Sequence, residues 1–133
     1  MADIHKTLKI DAPIDQVWKA LTDPQAIQDW MDDDMVKLDL TVGGHFTVFS
    51  GETTGTFSRI EAPNLLDYTW RQTTWKKSWA DSLVQWELIA DGERTQLQLT
   101  HSQFPNDEER DSHDEGWEMY WLEPMTDWLE TEK

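Results

Sequence analysis

Cysteine is absent from the 133-residue chain. Its absence excludes a thiol nucleophile, a disulfide framework, an iron–sulfur cluster and a zinc site built on cysteine. Basic residues are few, since 11 Lys and Arg stand against 27 Asp and Glu and give a formal net charge of −16. A surface of this sign repels phosphate groups, so we expect neither a nucleic acid nor an anionic membrane as a partner.

Long apolar runs are also missing. No stretch approaches the roughly 18 apolar residues that a membrane helix needs. The opening residues, MADIHKTLKID, lack the apolar segment of a signal peptide. We therefore expect a cytoplasmic protein. The length predicts one domain over residues 1–133, because two average domains need roughly 200 residues or more.

Phenylalanine and tyrosine are scarce, whereas tryptophan is abundant. The chain has 4 Phe, 2 Tyr and 9 Trp. A buried indole is large, and its N–H needs a hydrogen-bond partner. Two interpretations stay open: the tryptophans fill a bulky core with a few rings at the rim, or they line an aromatic cavity.

Apolar residues alternate with polar ones over several segments, which is typical of half-buried strands. The first such segment is 3–10. Two short helices follow, with Pro13 and Pro24 at their starts, where proline is tolerated because its missing N–H has no helical partner. Further strands are predicted at 35–40, 45–50, 56–61, 66–71, 84–90 and 96–101. Short turns between consecutive strands, such as Asp91-Gly92, favour an antiparallel sheet.

A long C-terminal helix is predicted from about Asp111 to Trp128, because Trp117, Trp121 and Trp128 recur at helical spacing. Its first residue depends on the cap, which Asn106 or Ser112 can supply. Pro124 is expected to kink the helix unless the helix ends there. The apolar face of this helix must pack against the sheet, which predicts an α+β fold.

Several motifs then resemble one known family, in order and over nearly the whole chain. Ala12-Pro13, followed by Val17-Trp18-x-Ala20-Leu21-Thr22-Asp23-Pro24 and by Trp30, is similar to the opening of the activator of heat-shock protein 90 ATPase homologue-like proteins. The later motifs agree: Val42-Gly43-Gly44-x-Phe46, Arg59-Ile60-Glu61-Ala62-Pro63 and Leu99-Thr100-His101-Ser102-x-Phe104-Pro105. These proteins belong to the START-like superfamily (SRPBCC, polyketide cyclase/Bet v-like).

The resemblance implies a helix-grip fold, in which a curved antiparallel sheet of about six to seven strands wraps the long C-terminal helix. Two short helices follow the first strand, and a cavity lies between sheet and helix. Many members of the superfamily bind apolar or aromatic small molecules there. The resemblance is to the C-terminal part of the eukaryotic chaperone activators, which carry a separate N-terminal docking domain.

Strand parity and helix face place one group of side chains between sheet and helix. These candidate ligand-binding residues are Tyr68, Trp70, Trp86, His101, Trp117 and Trp121. His101 shares its parity with Leu97 and Leu99, so it is interpreted either as a polar anchor or general base, or as a hydrogen-bonded histidine at the core edge.

No catalytic residue, metal or cofactor is predicted. The acidic run 107–115 lacks the glycine-bearing calcium-loop pattern and is interpreted as a solvated face, with His113 in ion pairs. The leading hypothesis is binding of an apolar or aromatic small molecule in the cavity. The alternatives are a co-chaperone-like interaction module and a cyclase or hydrolase that uses His101.

Overall fold

The computed structural model describes residues 3–131. Its strands are β1 (Ile4–Ile10), β2 (Lys37–Leu38), β3 (His45–Val48), β4 (Thr53–Glu61), β5 (Leu65–Gln72), β6 (Ser82–Asp91) and β7 (Arg94–Ser102). They form one seven-stranded sheet in the order β1-β7-β6-β5-β4-β3-β2. Every neighbouring pair is antiparallel, as the short turns predict.

The strand predicted at 35–40 is much shorter in the structure, where β2 has two residues and pairs only with β3. It forms one edge of the sheet, and short edge strands limit unwanted pairing with other chains. The strand predicted at 45–50 ends at Val48, because Phe49 and Ser50 adopt left-handed φ angles of 52° and 56°.

Two short helices, α1 (Ile14–Thr22) and α2 (Pro24–Met31), follow β1 as predicted. The Asp23 side chain caps α2 by accepting from the Gln25 N–H over 3.2 Å. Trp30 at the end of α2 donates its indole N–H to the Ala20 carbonyl over 2.9 Å. Its ring meets that of Trp121 edge-on at 5.1 Å, so α2 packs on the C-terminal helix.

The C-terminal helix spans residues 107–131 in three parts: α3 (Asp107–Gly116), a π-helical segment (Trp117–Leu122) and α4 (Glu123–Thr131). It starts earlier than the predicted Asp111, because Asn106 caps it by accepting from the Glu109 N–H over 2.8 Å. Pro124 lies inside the helix. The Glu123 N–H bonds to the Glu118 carbonyl five residues back, and this wider turn directly precedes the proline.

The helix lies against one face of the sheet, and their facing side chains form the core together with α1 and α2. The predicted helix-grip α+β architecture is thus confirmed. Within residues 3–131, no helix combines the length and hydropathy that crossing a bilayer requires.

Candidate functional site

The side chains predicted to point between sheet and helix do so. Tyr68, Trp70, Trp86, His101, Trp117 and Trp121 are each at most 4% exposed. Strands β5, β6 and β7 supply the first four, because alternate residues of a strand point to the same face. The helix supplies Trp117 and Trp121, which are one turn apart on one face.

The tryptophan rings of this group pack against each other. The Trp117 ring centroid lies 4.9 Å from that of Trp70, 5.1 Å from that of Trp121 and 5.6 Å from that of Trp86. Trp86 and Trp121 are 6.0 Å apart. These spacings are typical of favourable aromatic pairs. Much of the space between sheet and helix is therefore filled by indole rings.

A cavity of about 480 Å³ lies beside the packed rings. Its aromatic side consists of Phe49, Trp70, Trp117, Tyr120 and Trp121. Its polar side consists of Thr53, Gln72, Thr74, Glu109, Ser112 and His113. Small-molecule sites in proteins have volumes of about 300–1,000 Å³ and combine an apolar wall with a few polar groups. This cavity matches that description.

The predicted residues divide into two layers. Trp70, Trp117 and Trp121 line the cavity. Tyr68, Trp86 and His101 lie behind them and contact the lining rings, with His101 at 5.6 Å from Trp70 and 5.7 Å from Trp117. A core filled by tryptophan and an aromatic cavity, weighed as alternatives from the sequence, therefore occur side by side.

His101 is fully enclosed in a hydrogen-bonded chain. The Trp117 indole N–H donates to Nδ1 of His101 over 3.0 Å, so Nδ1 carries no proton. Nε2 lies 2.7 Å from the Ser82 hydroxyl, which itself donates to the Trp70 carbonyl over 2.9 Å. Nε2 therefore carries the proton and donates it to Ser82. Burial, together with a smaller effect of nearby His113, lowers the pKa of His101 from 6.5 to about 2.

Tyr68 and Trp86 form a second buried pair. The Trp86 indole N–H donates to the Tyr68 hydroxyl over 2.9 Å. Burial raises the pKa of Tyr68, although this hydrogen bond works in the opposite direction. Both side chains are uncharged, and the two polar atoms of the pair satisfy each other by this hydrogen bond.

His113 turns inward, unlike the ion-paired position that the acidic run suggested. Its Nδ1 donates to the Glu109 carbonyl over 2.7 Å. Its Nε2 accepts the Trp70 indole N–H over 3.0 Å and lies 3.3 Å from the Gln72 amide nitrogen. Burial lowers the pKa of His113, against the opposing effects of the Glu109 carbonyl and carboxylate. His113 is thus a neutral link between sheet and helix at the cavity wall.

Glu109 projects from the first turn of the C-terminal helix into the cavity lining. Its Oε1 accepts the Trp75 indole N–H over 2.6 Å. Trp75 is buried and lies 6.0 Å from the His113 ring and 6.3 Å from the half-buried Trp79. The loop after β5 therefore reaches the cavity wall, where Trp75 orients the Glu109 carboxylate.

Phe49 reaches the cavity from a strained turn between β3 and β4. Its ring lies 6.0 Å from that of Trp121 and 6.5 Å from that of Trp70. Left-handed φ angles at consecutive non-glycine residues are unfavourable. Asp33 offsets this cost, because its Oδ2 accepts the Ser50 N–H over 2.7 Å and its Oδ1 accepts the Met35 N–H over 2.9 Å.

Sequence reasoning missed several lining residues that carried a usable signal. Gln72 shares its parity with Tyr68 and Trp70, and Glu109 and His113 continue the helix face of Trp117 at four-residue intervals. Phe49 carried no such signal. The buried Phe46 and Val48 lie at alternate positions of the predicted strand, so the pattern places Phe49 on the opposite face, away from the core. Among residues 3–131, no group of three or more His, Asp and Glu side chains is arranged to hold a metal.

An open antiparallel sheet that grips a long helix beside a cavity defines the helix-grip class of α+β proteins. The sequence model of the "Activator of Hsp90 ATPase homolog 1-like protein" family matches residues 11–130. The chain therefore belongs to this family, as its motifs suggest. Members of the family bind hydrophobic ligands or act as cyclases or activators.

Solved structures agree with this assignment. An HSP90 activator from Plasmodium falciparum is 26% identical, with a TM-score of 0.83 over 92% of this chain and 91% of that one. CalU16 from Micromonospora echinospora is 32% identical, with a TM-score of 0.77 over 97% of this chain and 74% of that one. The Aha1 dimer from Colwellia psychrerythraea shares the fold at 19% identity, with a TM-score of 0.83 over 100% and 99% of the two chains. No curated protein matches the sequence.

Proposed function

We propose that this protein binds an apolar or aromatic small molecule in the cavity between the sheet and the C-terminal helix. The observation that carries the proposal is the 480 Å³ space walled by Trp70, Trp117 and Trp121. Together with Phe49 and the exposed Tyr120, these residues give a flat ligand an aromatic wall at little cost in side-chain entropy. The family assignment supports the proposal, because members of the family bind hydrophobic ligands.

The arrangement does not support an enzyme that uses His101 as a general base. A base needs a free lone pair within reach of the substrate. In His101, Nδ1 already accepts from Trp117 and Nε2 carries a proton toward Ser82. The side chain is 0% exposed, and its low pKa disfavours taking up a proton. We therefore assign His101 a structural role that orients Trp117.

Gly116 offers a direct test, because it lies in the cavity lining with helical backbone angles. A Cβ atom added there would meet only the Tyr120 ring, at 3.9 Å. The Gly116→Leu variant is expected to fill part of the cavity without disturbing the helix. Binding is measured with N-phenyl-1-naphthylamine, a neutral aromatic probe whose fluorescence rises in apolar surroundings.

Wild-type protein is expected to bind the probe saturably with one site. Gly116→Leu should weaken binding by about tenfold or more, since several contacts are lost to steric overlap. Glu115→Leu is the matched control, because it adds the same side chain to the neighbouring exposed position on the helix. If both variants bind as the wild type does, or if the wild type does not bind, ligand binding in this cavity is wrong.

A second candidate function is activation of a chaperone ATPase. It is supported by the likeness to the Plasmodium falciparum HSP90 activator, which extends over most of both chains. The assay adds this protein to a purified Hsp90-type chaperone and measures ATP hydrolysis together with co-precipitation. A stimulated rate would support this candidate, and no binding with no change in rate would exclude it for that chaperone.

A further inference from the structure

One carboxylate is the sole formally charged group among the described residues that line the cavity. It belongs to Glu109, which is half-buried. Its Oε1 accepts the Trp75 indole N–H, which holds the carboxylate in place and leaves lone pairs on both oxygens. The cavity therefore offers a ligand an oriented anionic acceptor at its polar side.

The histidine in the lining cannot balance this negative charge. Both ring nitrogens of His113 are occupied, Nδ1 by the Glu109 carbonyl and Nε2 by the Trp70 N–H. Protonation of Nε2 would break the bond from Trp70, because that nitrogen can no longer accept. His113 thus offers a ligand neither a positive charge nor a spare donor.

The aromatic side of the cavity has the same electrostatic preference. The face of an indole ring carries partial negative charge and attracts cations, most strongly when the cation is shielded from water. Trp70, Trp117 and Trp121 all contribute to the lining of the cavity. The whole chain adds a long-range contribution, since its net charge of −16 draws cations toward the protein and repels anions.

From these observations we propose that the cavity selects aromatic ligands that carry a cationic amine, with the ring against Trp70 and Trp117 and the ammonium group at Glu109. This proposal rests on the proposed binding function and specifies the ligand class for the same cavity. Neutral aromatic compounds fit the same walls but lack the charge-assisted hydrogen bond. Aromatic carboxylates meet repulsion from Glu109.

The test compares three probes that share one ring system: 1-naphthylmethylamine (cationic), 1-naphthalenemethanol (neutral) and 1-naphthoate (anionic). Isothermal titration calorimetry at neutral pH measures their dissociation constants. The cationic probe is expected to bind on the order of tenfold more tightly than the neutral one, and the anionic probe more weakly than both.

The variant Glu109→Gln separates local from global charge. Gln keeps an oxygen that can accept the Trp75 N–H, so the fold around the cavity is preserved. The variant should remove most of the preference for the cationic probe, while the neutral probe keeps its affinity within about twofold. Glu108→Gln is the matched control, because it removes the same charge one residue away at an exposed position outside the lining.

The possible outcomes distinguish the proposed binding function from the proposed charge selectivity. If none of the probes binds to the wild type, the proposed function fails and the charge selectivity fails with it. If all three bind equally, the cavity is a binding site but the selectivity is wrong. If Glu108→Gln removes the preference as strongly as Glu109→Gln, net charge and not Glu109 is responsible, which overturns the assignment. Should Glu109→Gln not fold, the wild-type affinities still test the selectivity, since tightest binding of the cationic probe supports it and equal binding of the three probes overturns it.

Discussion

The indole N–H of Trp70 donates to Nε2 of His113 over 3.0 Å, across 43 residues of sequence. The bond joins the central strand β5 to the C-terminal helix at the edge of the cavity. It requires a neutral histidine with its proton on Nδ1, which donates to the Glu109 carbonyl. The sheet and the helix are thus held together by a hydrogen bond that exists only in one protonation state.

Stability is expected to fall as the pH drops below about 6.5, through His101 and His113. Burial lowers the pKa of both side chains, for His101 from 6.5 to about 2. Below about pH 6.5, the unfolded chain therefore binds more protons than the folded chain does. Each of the two histidines then removes up to about 1.4 kcal/mol of stability per pH unit. The contribution is fully present above pH 6.5 and is lost progressively as the pH approaches the folded pKa.

Urea unfolding at several pH values between about 7.5 and 5 measures this effect. The His101→Gln variant is expected to be less stable at neutral pH but to lose stability less steeply on acidification. His5→Gln, at an exposed position, is the control. Comparing slopes is necessary because acid also relieves repulsion among the carboxylates. Equal slopes in the wild type and His101→Gln would contradict the effect assigned to His101.

Two glycines should respond in opposite ways to alanine. Gly116 is helical with open space around it, so Gly116→Ala is expected to raise the free energy of unfolding by about 1 kcal/mol. At Gly55, a Cβ atom would lie 1.9 Å from the Thr69 carbonyl and 2.3 Å from the Phe46 ring. Gly55→Ala should therefore cost several kcal/mol. Thermal and urea unfolding of both variants check the pair, and equal effects would disprove the packing around β4.

The turn that carries Phe49 should be stabilised by glycine and weakened by loss of its carboxylate. Ser50→Gly is expected to stabilise the protein by up to about 1 kcal/mol, because glycine adopts the left-handed φ of 56° without strain. Asp33→Ala should cost about 1–3 kcal/mol, since it leaves the Ser50 N–H without its acceptor. Asp34→Ala, at an exposed neighbouring position, is the control for charge.

If Asp33→Ala and Asp34→Ala have the same effect on urea unfolding, the hydrogen bond to Ser50 does not hold the turn. The binding assay with N-phenyl-1-naphthylamine adds a second measurement. Asp33→Ala should also weaken binding of the probe, because the backbone turn that places the Phe49 ring at the cavity is no longer held.

Moderate salt should raise the melting temperature. The net charge of −16 makes the folded surface repel itself, and ions screen this repulsion. The expected result is a higher midpoint of thermal unfolding at about 200 mM NaCl than at about 20 mM. Calorimetry or circular dichroism measures this midpoint. A midpoint that falls over this range would show that attractive ion pairs, such as Lys6 with Asp114 and Glu118, outweigh the repulsion.

The sequence by itself determined the order of the elements, the antiparallel sheet and the side chains that face the helix. Alternation along β5 to β7 and the spacing of Trp117 and Trp121 are local patterns, and burial of one face requires them. The family motifs are local as well. Boundaries were less predictable: β2 shrinks to two residues at the sheet edge, and the helix begins at the earlier of two possible caps, after Asn106.

Tertiary structure alone decided which of these side chains enclose empty space. Trp70 and Trp86 have the same strand parity and nearly the same burial, yet Trp70 lines the cavity and Trp86 lies behind it. The difference depends on distances between elements far apart in the chain, which no periodicity encodes. The same holds for His101 and His113, whose protonation is set by the partners that folding brings to each ring nitrogen.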